Sequence, residues 1–351
     1  MSAPVTTAPV ARAAAPWGGY LPSAGVIALV LAGCVLALFL APGWASLPAR
    51  LVALVALVAA GRRILGDRIG AYFKGPASYV GLFFLVLFMV LALFAPELAP
   101  QNPYDLNQID FMDGVLAPGS ASMDGSLTYH LGTDKQGRDI WSAILYGLRL
   151  SLIVAVTSTL TAMLIGMAVG VWSAWAGGRV DAVLMRIVDL QLSFPTILVA
   201  LMLMAAFGSG VDKVILALII VQWAYYARTV RGAALSEARK EYIDAARGLG
   251  LPAWRILLRH LLPNCIPPLI VISTVQVANT IVIESSLSYL GVGVPITQPS
   301  LGMLIATGFD YMLSGQYWMS MFPGVALLGV VAAINLVGDR LRDILNPRLR
   351  R

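Results

Sequence analysis

Reactive groups are sparse in this chain: two histidines, His130 and His260, two cysteines, Cys34 and Cys265, four lysines and eighteen carboxylates in 351 residues. The histidines stand far apart and the cysteines sit in or beside apolar runs, so neither zinc spacing nor a disulfide framework is present. Such histidines read as polar residues near a membrane interface. None of Lys74, Lys135, Lys213 and Lys240 lies in G-x-x-x-x-G-K-[ST], so nothing cradles a nucleotide phosphate. G-x-S-x-G, H-E-x-x-H and a locally supported Ser/His pair are also missing. The pattern predicts no catalyst and no cofactor on this chain. What remains is charge set between apolar runs, above all EYIDAARGLGLPAWRILLRHLLPN at 241–264. It carries Glu241, Asp244, Arg247, Arg255 and Arg259, punctuated by Gly248, Gly250, Pro252 and Pro263. The chemistry open to such a stretch is recognition and mechanical contact. Two further carboxylates, Asp189 and Glu284, sit at the edges of apolar runs. Intramembrane carboxylates face a cavity or a partner, so each is either a candidate to line a polar cavity or a hydrogen-bonding group between helices.

Those residues must be held by membrane helices. The chain is 59% hydrophobic and 12% charged, about half the charge of a soluble domain, with mean hydropathy +0.81. Runs of roughly 20 apolar residues fall near 76–96, within 150–178, and near 190–210, 214–234, 265–287 and 318–338. Ser193-Phe194-Pro195 places a kink near the start of the third. Two weaker runs, 24–41 and 47–61, read as an extra helical hairpin whose second leg could instead lie at the interface. The N-terminus does not match a cleavable signal. The expected organisation is an N-terminal extension over 1–65, a first core span with its loop over 66–139, and a core over 140–351 containing a loop at 236–263.

Basic residues set the orientation. Arg62, Arg63, Arg68 and Lys74 precede the first strong run. Arg179 and Arg186 separate the second from the third, Arg239 to Arg259 the fourth from the fifth, and Arg340 to Arg351 follow the sixth. Loop 97–139 has two basic residues against seven acids. Positive-inside bias puts both termini and the 241–264 loop in the cytoplasm and 97–139 outside. The net charge of +6 is thus a topology signal, and arginines without interleaved aromatics on a soluble domain argue against nucleic acid.

Within the loop, Glu241 to Arg247 suits two helical turns with acids early and Arg late. Gly248 and Gly250 end it, and Pro252 opens a second, interfacial helix. There Trp254, Leu257, Leu258 and Leu261 share an apolar face opposite Arg255 and Arg259. The loop is either a plain basic topology signal or a handle for a cytoplasmic partner. In GTDKQGRD, Asp139 suits an N-cap for a helix with Ile140, Trp141, Ile144, Leu145 and Leu148 on one face. That segment either organises the second span's entry or shapes an external gate. Gly166 and Gly170 form a small-xxx-small pair, by itself no more than ordinary glycine use. Arg228 and Arg231 read as side chains reaching for the interface.

Asp244-Ala245-Ala246-x-x-x-Gly250, then nine residues to His260-x-Leu262-Pro263, resembles the EAA motif of ABC importer permeases, with Asp for the first Glu and His for the Ile. His130-Leu131-Gly132-Thr133-Asp134-Lys135-Gln136-Gly137-Arg138-Asp139 resembles the HxLGTDxxGRD entry of the dipeptide/oligopeptide/nickel permeases. Glu284-Ser285-Ser286-Leu287-Ser288-Tyr289-Leu290-Gly291-Val292-Gly293 resembles their E-x-x-L-S-[FY]-L-G-x-G segment. The likeness covers about 66–351 and is to the C-type permease. It implies an all-α, six-helix permease core plus the N-terminal hairpin, in a bacterial inner membrane among lipid. It further implies a second related permease, two ABC ATPase subunits carrying ATP and Mg, and an extracytoplasmic solute-binding protein. Glu241, Asp244, Ala245, Ala246, Gly250, Leu262 and Pro263 would form the ATPase-coupling loop. Gly132, Thr133, Asp134, Gly137, Arg138 and Asp139 would form the external gate or entry, with Asp189 and Glu284 as path candidates. Di- and oligopeptides are the expected cargo. The rival expectation is a secondary transporter or channel needing no ATPase.

Overall fold

The computed structural model describes residues 76–295 and 297–345, and the side chains of this range up to Asp343. The N-terminal extension 1–65 with its apolar runs, and the basic residues after 345, lie outside the described residues. Helices dominate: α1 Pro76–Leu93, α2 Ile140–Ala176, α3 Gly178–Ser193, α4 Thr196–Phe207, α5 Val211–Glu237, α6 Glu241–Gly248, α7 Ala253–Tyr289, α8 Leu301–Phe309 and α9 Trp318–Leu345. Five of them (α1, α2, α5, α7 and α9) are long and apolar enough to cross a membrane, and the bent pair α3–α4 makes a sixth span if counted as one. The six-span, all-α expectation therefore holds over this range. Among the described residues the sheet content is one antiparallel pair in the 97–139 segment, Ser120–Ala121 with Thr128–Tyr129.

The third apolar run is not a straight span. α3 and α4 meet at 90° across Phe194-Pro195. Proline cannot donate a backbone hydrogen bond and disfavours α geometry in the residue before it, and Phe194 is accordingly extended at φ −90°, ψ 141°. The helix expected after Asp139 and the second apolar run are one continuous helix from Ile140, capped by Asp139.

The interfacial helix expected before Pro263 is a second correction. It runs without a break into the fifth span as α7, through a π-helical turn at Leu257–Leu261. The predicted apolar face is also different: Ile256 and Leu261 are buried, whereas Trp254 is 63% and Leu258 59% exposed. A π turn pairs i with i+5 rather than i+4, so it brings Ile256 and Leu261 to one face and turns Trp254 and Leu258 away.

The α2–α5 seam is the most extensive helix contact. A Cβ at Gly166 would lie 2.4 Å from the Trp223 carbonyl oxygen, and one at Gly170 2.5 Å from that of Ala227. The small-residue pair thus works as a close-packing seam. Along α2, Ile144, Leu148, Leu152 and Ala155 bury one face against Ala278 and Ile281 of α7 and Val330 and Ile334 of α9. Polar register is set between them: Gln222 Nε2 donates to Thr280 Oγ1 at 2.8 Å, and Thr159 lies within hydrogen-bonding reach of both. One end of the bundle carries residues 97–139 and α8 (the cap end); the opposite end carries α6 (the loop end).

Candidate functional site

At the loop end, α5 ends at Glu237, and α6 is tied back to it. Lys240 Nζ lies 2.7 Å from Glu237 Oε2, and Tyr242 donates its hydroxyl to Glu237 Oε1 at 2.5 Å. Asn264 of α7 donates to that hydroxyl at 3.0 Å. Burial and the neighbouring Glu237 push the Tyr242 phenol above its ordinary range. Ile243 and Ala246, one turn apart, seat α6 against Ile256, Leu251 and Trp175. The Arg247 guanidinium stacks 5.1 Å over the Trp175 ring, a cation–π contact.

The end of α6 is a Schellman stop. Gly250 takes φ +69°, its N–H donates to Arg247 at 2.9 Å and the Leu251 N–H to Ala246 at 3.2 Å, with Leu251 packed on the buried cluster. Glu241, Asp244 and Ala245 face out, Ala246 faces in, and Leu262 and Pro263 lie half-buried just past the π turn. Leu249 stands 79% exposed beside them. Ile243, Ile256, Trp175 and Glu237 went unnoticed in the sequence reading. The Ile243/Ala246 spacing was a visible signal for the first; the others are brought in by tertiary folding.

At the cap end Gly132, Thr133, Asp134, Gly137, Arg138 and Asp139 are buried, while Lys135 is exposed. Asp134 accepts from the backbone of Gln136 at 2.8 Å and of Arg138 at 3.0 Å, and from Arg138 Nε at 2.9 Å, with both side chains covered. Arg138 also reaches the Gln136 side chain. Thr133 Oγ1 donates to Asp113 O at 2.6 Å and accepts from Leu116 N at 2.7 Å. Gly132 and Gly137 take φ +81° and +79°; a Cβ on Gly137 would lie 1.9 Å from the Asp110 carbonyl. Asp139 Oδ2 caps α2, accepting from Ser142 N at 2.8 Å and Ser142 Oγ at 2.6 Å. Burial pushes its carboxyl above the usual carboxylate range. The surface turned outward is different: Leu106, Phe111, Met112 and Met123 are each at least 66% exposed.

The structure keeps the two path candidates apart. Glu284 is fully buried near the cap end of α7. Its carboxylate accepts from Ser151 Oγ of α2 and Ser288 Oγ, both at 2.9 Å, and from Ser285 Oγ at 3.4 Å. Asp189 is exposed and paired with Arg228 of α5. Gln191, two residues on, donates to the Ile220 carbonyl at 2.8 Å. Asp189 therefore lies alongside the middle of α5, shortly before the break between α3 and the apolar α4. Arg231 pairs with Asp181 at 2.5 Å, so neither arginine merely extends to an interface.

With this geometry in hand, the likenesses to known proteins are specific. Residues 162–351 match the binding-protein-dependent transport system inner membrane component family, and residues 70–118 match the N-terminal TM domain of oligopeptide transport permease C. A di/tripeptide transport system permease protein of Pseudomonas aeruginosa is 35% identical over 270 residues, 77% of this chain and 88% of that protein. A dipeptide transport system permease protein of Escherichia coli is 37% identical over 280 residues, 80% of this chain and 92% of that one. A putative peptide transport system permease protein of Brucella suis is 38% identical over 271 residues, 77% and 88% of the two chains. An inward-facing structure of the MetNI methionine ABC transporter matches with TM-score 0.49 and 21% identity over 59% of this chain and 97% of that one, too loose a likeness to argue from. The chain belongs to the binding-protein-dependent transport system inner membrane component family, as a multi-pass, non-catalytic permease subunit of the inner membrane.

Proposed function

We propose that this permease forms half of the translocation path of an ATP-driven importer of di- and oligopeptides, and that α6 transmits the motion of an ATPase subunit to the spans. The observation that carries the coupling role is the two-sided seating of α6. Ile243 and Ala246 lock it to α7 through Ile256, while Glu241, Asp244 and Leu249 stay exposed on the other side. A partner that moves α6 therefore moves the base of α7 and, through Glu237 and Tyr242, the end of α5. ATP and Mg belong to two separate ATPase chains. A second related permease completes the path, and a solute-binding protein delivers cargo on the side of residues 97–139. The arginine distribution supports a cytoplasmic α6 and cytoplasmic termini. The peptide cargo is inferred from the likeness to the three peptide permeases.

The test is co-purification with the ATPase subunits together with peptide-stimulated ATP hydrolysis, for Gly250→Asp and Asp244→Lys. Asp244 is exposed, so Asp244→Lys should lose ATPase association and stimulation with the fold intact, whereas Gly250→Asp also strains the φ +69° stop of α6. If both variants keep them at the wild-type level, α6 is not the coupling element. A wild-type chain that imports peptide with no ATPase present would point instead to a secondary transporter.

A further inference from the structure

Two ion pairs join α3 to α5, and they do different work. Asp181 accepts two bonds of 2.5 Å from Arg231 and one of 2.5 Å from Ser173 of α2, in a largely covered setting. Val188, buried against Ala224 and Ala227, and the Gln191–Ile220 bond complete the attachment. The Asp189–Arg228 pair contributes little to it, since its side chains are 55% and 53% exposed, and exposed pairs contribute roughly 0–1 kcal/mol.

Its position is nevertheless demanding. Arg228 stands about 25 Å along α5 from Val211, Val188 beside Asp189 packs on Ala224 and Ala227 near the middle of that helix, and Arg186 and Arg231 lie one turn away on the two helices. Ionised groups at such depth face a cavity or a partner, not hydrocarbon. The pair also sits at the elbow where α3 breaks from α4 by 90°. Broken helices are where transporters expose substrate-reading groups. Two hydroxyls lie close by: Tyr225, one turn from Arg228, is 3.2 Å from Thr196, the first residue beyond the break.

Resting on the peptide-import reading above, we propose that Asp189 and Arg228 form a transit site for the two charged ends of a short zwitterionic peptide. The planar guanidinium of Arg228 takes the terminal carboxylate through two parallel bonds. Asp189 takes the terminal ammonium. An extended dipeptide separates its ends by about 7 Å, so the pair opens by roughly that span to admit it and closes on itself when empty. Both side chains are exposed enough to swing without disturbing the Asp181–Arg231 attachment. Reading the ends alone leaves the peptide's side chains unspecified, which suits a path that passes many sequences.

The experiment measures equilibrium binding of radiolabelled Ala-Ala to the purified complete importer, without its binding protein. Saturable binding is expected, displaced by unlabelled Ala-Ala and not by N-acetyl-Ala-Ala-amide, which has lost both charges. Arg228→Gln or Asp189→Asn should each weaken it by about tenfold or more. Displacement by the capped peptide as effective as by Ala-Ala, undiminished binding in both variants, or no saturable binding to the wild type would each overturn the site. The capped-peptide arm uses only wild-type protein and holds even if a variant fails to assemble. If the importer with its binding protein carries Ala-Ala into vesicles but fails these criteria, only the pair falls. If it carries none, the peptide reading falls with it.

Discussion

Gly166 of α2 lies directly on the backbone of Trp223 in α5, with no room for a side chain between them: a Cβ there would approach the Trp223 oxygen to 2.4 Å and the Tyr226 Cβ to 2.5 Å. Overpacking a tight contact costs about 1–3 kcal/mol. Gly166→Ala should lower the thermal unfolding temperature of the purified complex, and Gly166→Leu should prevent its assembly. A Gly166→Leu protein that assembles and unfolds at the wild-type temperature would refute this seam.

The two sides of α6 should separate experimentally. Ile243 is fully buried, and truncating such a residue to Ala costs about 2–5 kcal/mol. Ile243→Ala should loosen α6, seen as faster proteolytic clipping in 238–252, and should reduce ATPase stimulation. Leu249→Asp, at an exposed position, should leave stability within about 0.5 kcal/mol and still abolish ATPase association. Equal effects of the two on stability would contradict the two-sided seating.

Asp139 caps α2 from a buried position. Asp139→Ala should destabilise by about 1–2 kcal/mol, and Asp139→Asn by less. Its folded carboxyl is raised by burial, so the protein holds this proton more tightly folded than unfolded. That contribution is full below the ordinary Asp range of about 4 and is lost as pH rises through the folded value. Unfolding of the wild type against pH should show this downward slope, and Asp139→Asn should flatten it.

Asp124 behaves the opposite way. Hydrogen bonds from the Ser122 hydroxyl and then from the Ser126 backbone and hydroxyl hold its carboxyl down at about 2. The turn it closes is therefore supported above about pH 4 and loses that support as pH falls through about 2. Pepsin should cut near Leu127 increasingly over that window in the wild type. In Asp124→Asn the rate should lose its pH dependence beyond that of pepsin itself.

Glu284 gathers serines from α2 and α7, and its removal would strand them. Glu284→Ala should cost about 1–3 kcal/mol for each buried hydroxyl left unpaired, whereas Glu284→Gln keeps an acceptor and should stay close to wild type in thermal unfolding. Equal loss in both would mean that the charge, not the hydrogen bonding, matters there.

Local rules carried much of this protein. Apolar run length located the spans, because a helix must cross about 30 Å of hydrocarbon with every backbone group satisfied internally. Asp139 announced its own helix, since an N-cap needs only a side chain and the next turn. The stop at Gly250 was legible because the left-handed geometry it adopts, φ +69°, is one that few other residues take. Motif spacing, too, is a property of the chain alone.

Contacts between segments distant in sequence could not be read that way. The π turn at 257–261 rotates Ile256 inward and Trp254 outward against plain helical periodicity, because burial against Ile243 selects the register. The partners of Asp189 and Asp181 stand 39 and 50 residues away, and the serines around Glu284 come from α2 as well as α7. Sequence alone thus located the spans and the helix ends marked by Asp139 and Gly250. Only the tertiary structure decided which side chains meet, because pairing follows from how helices are rotated and stacked, and that is set jointly by all the faces that must be buried.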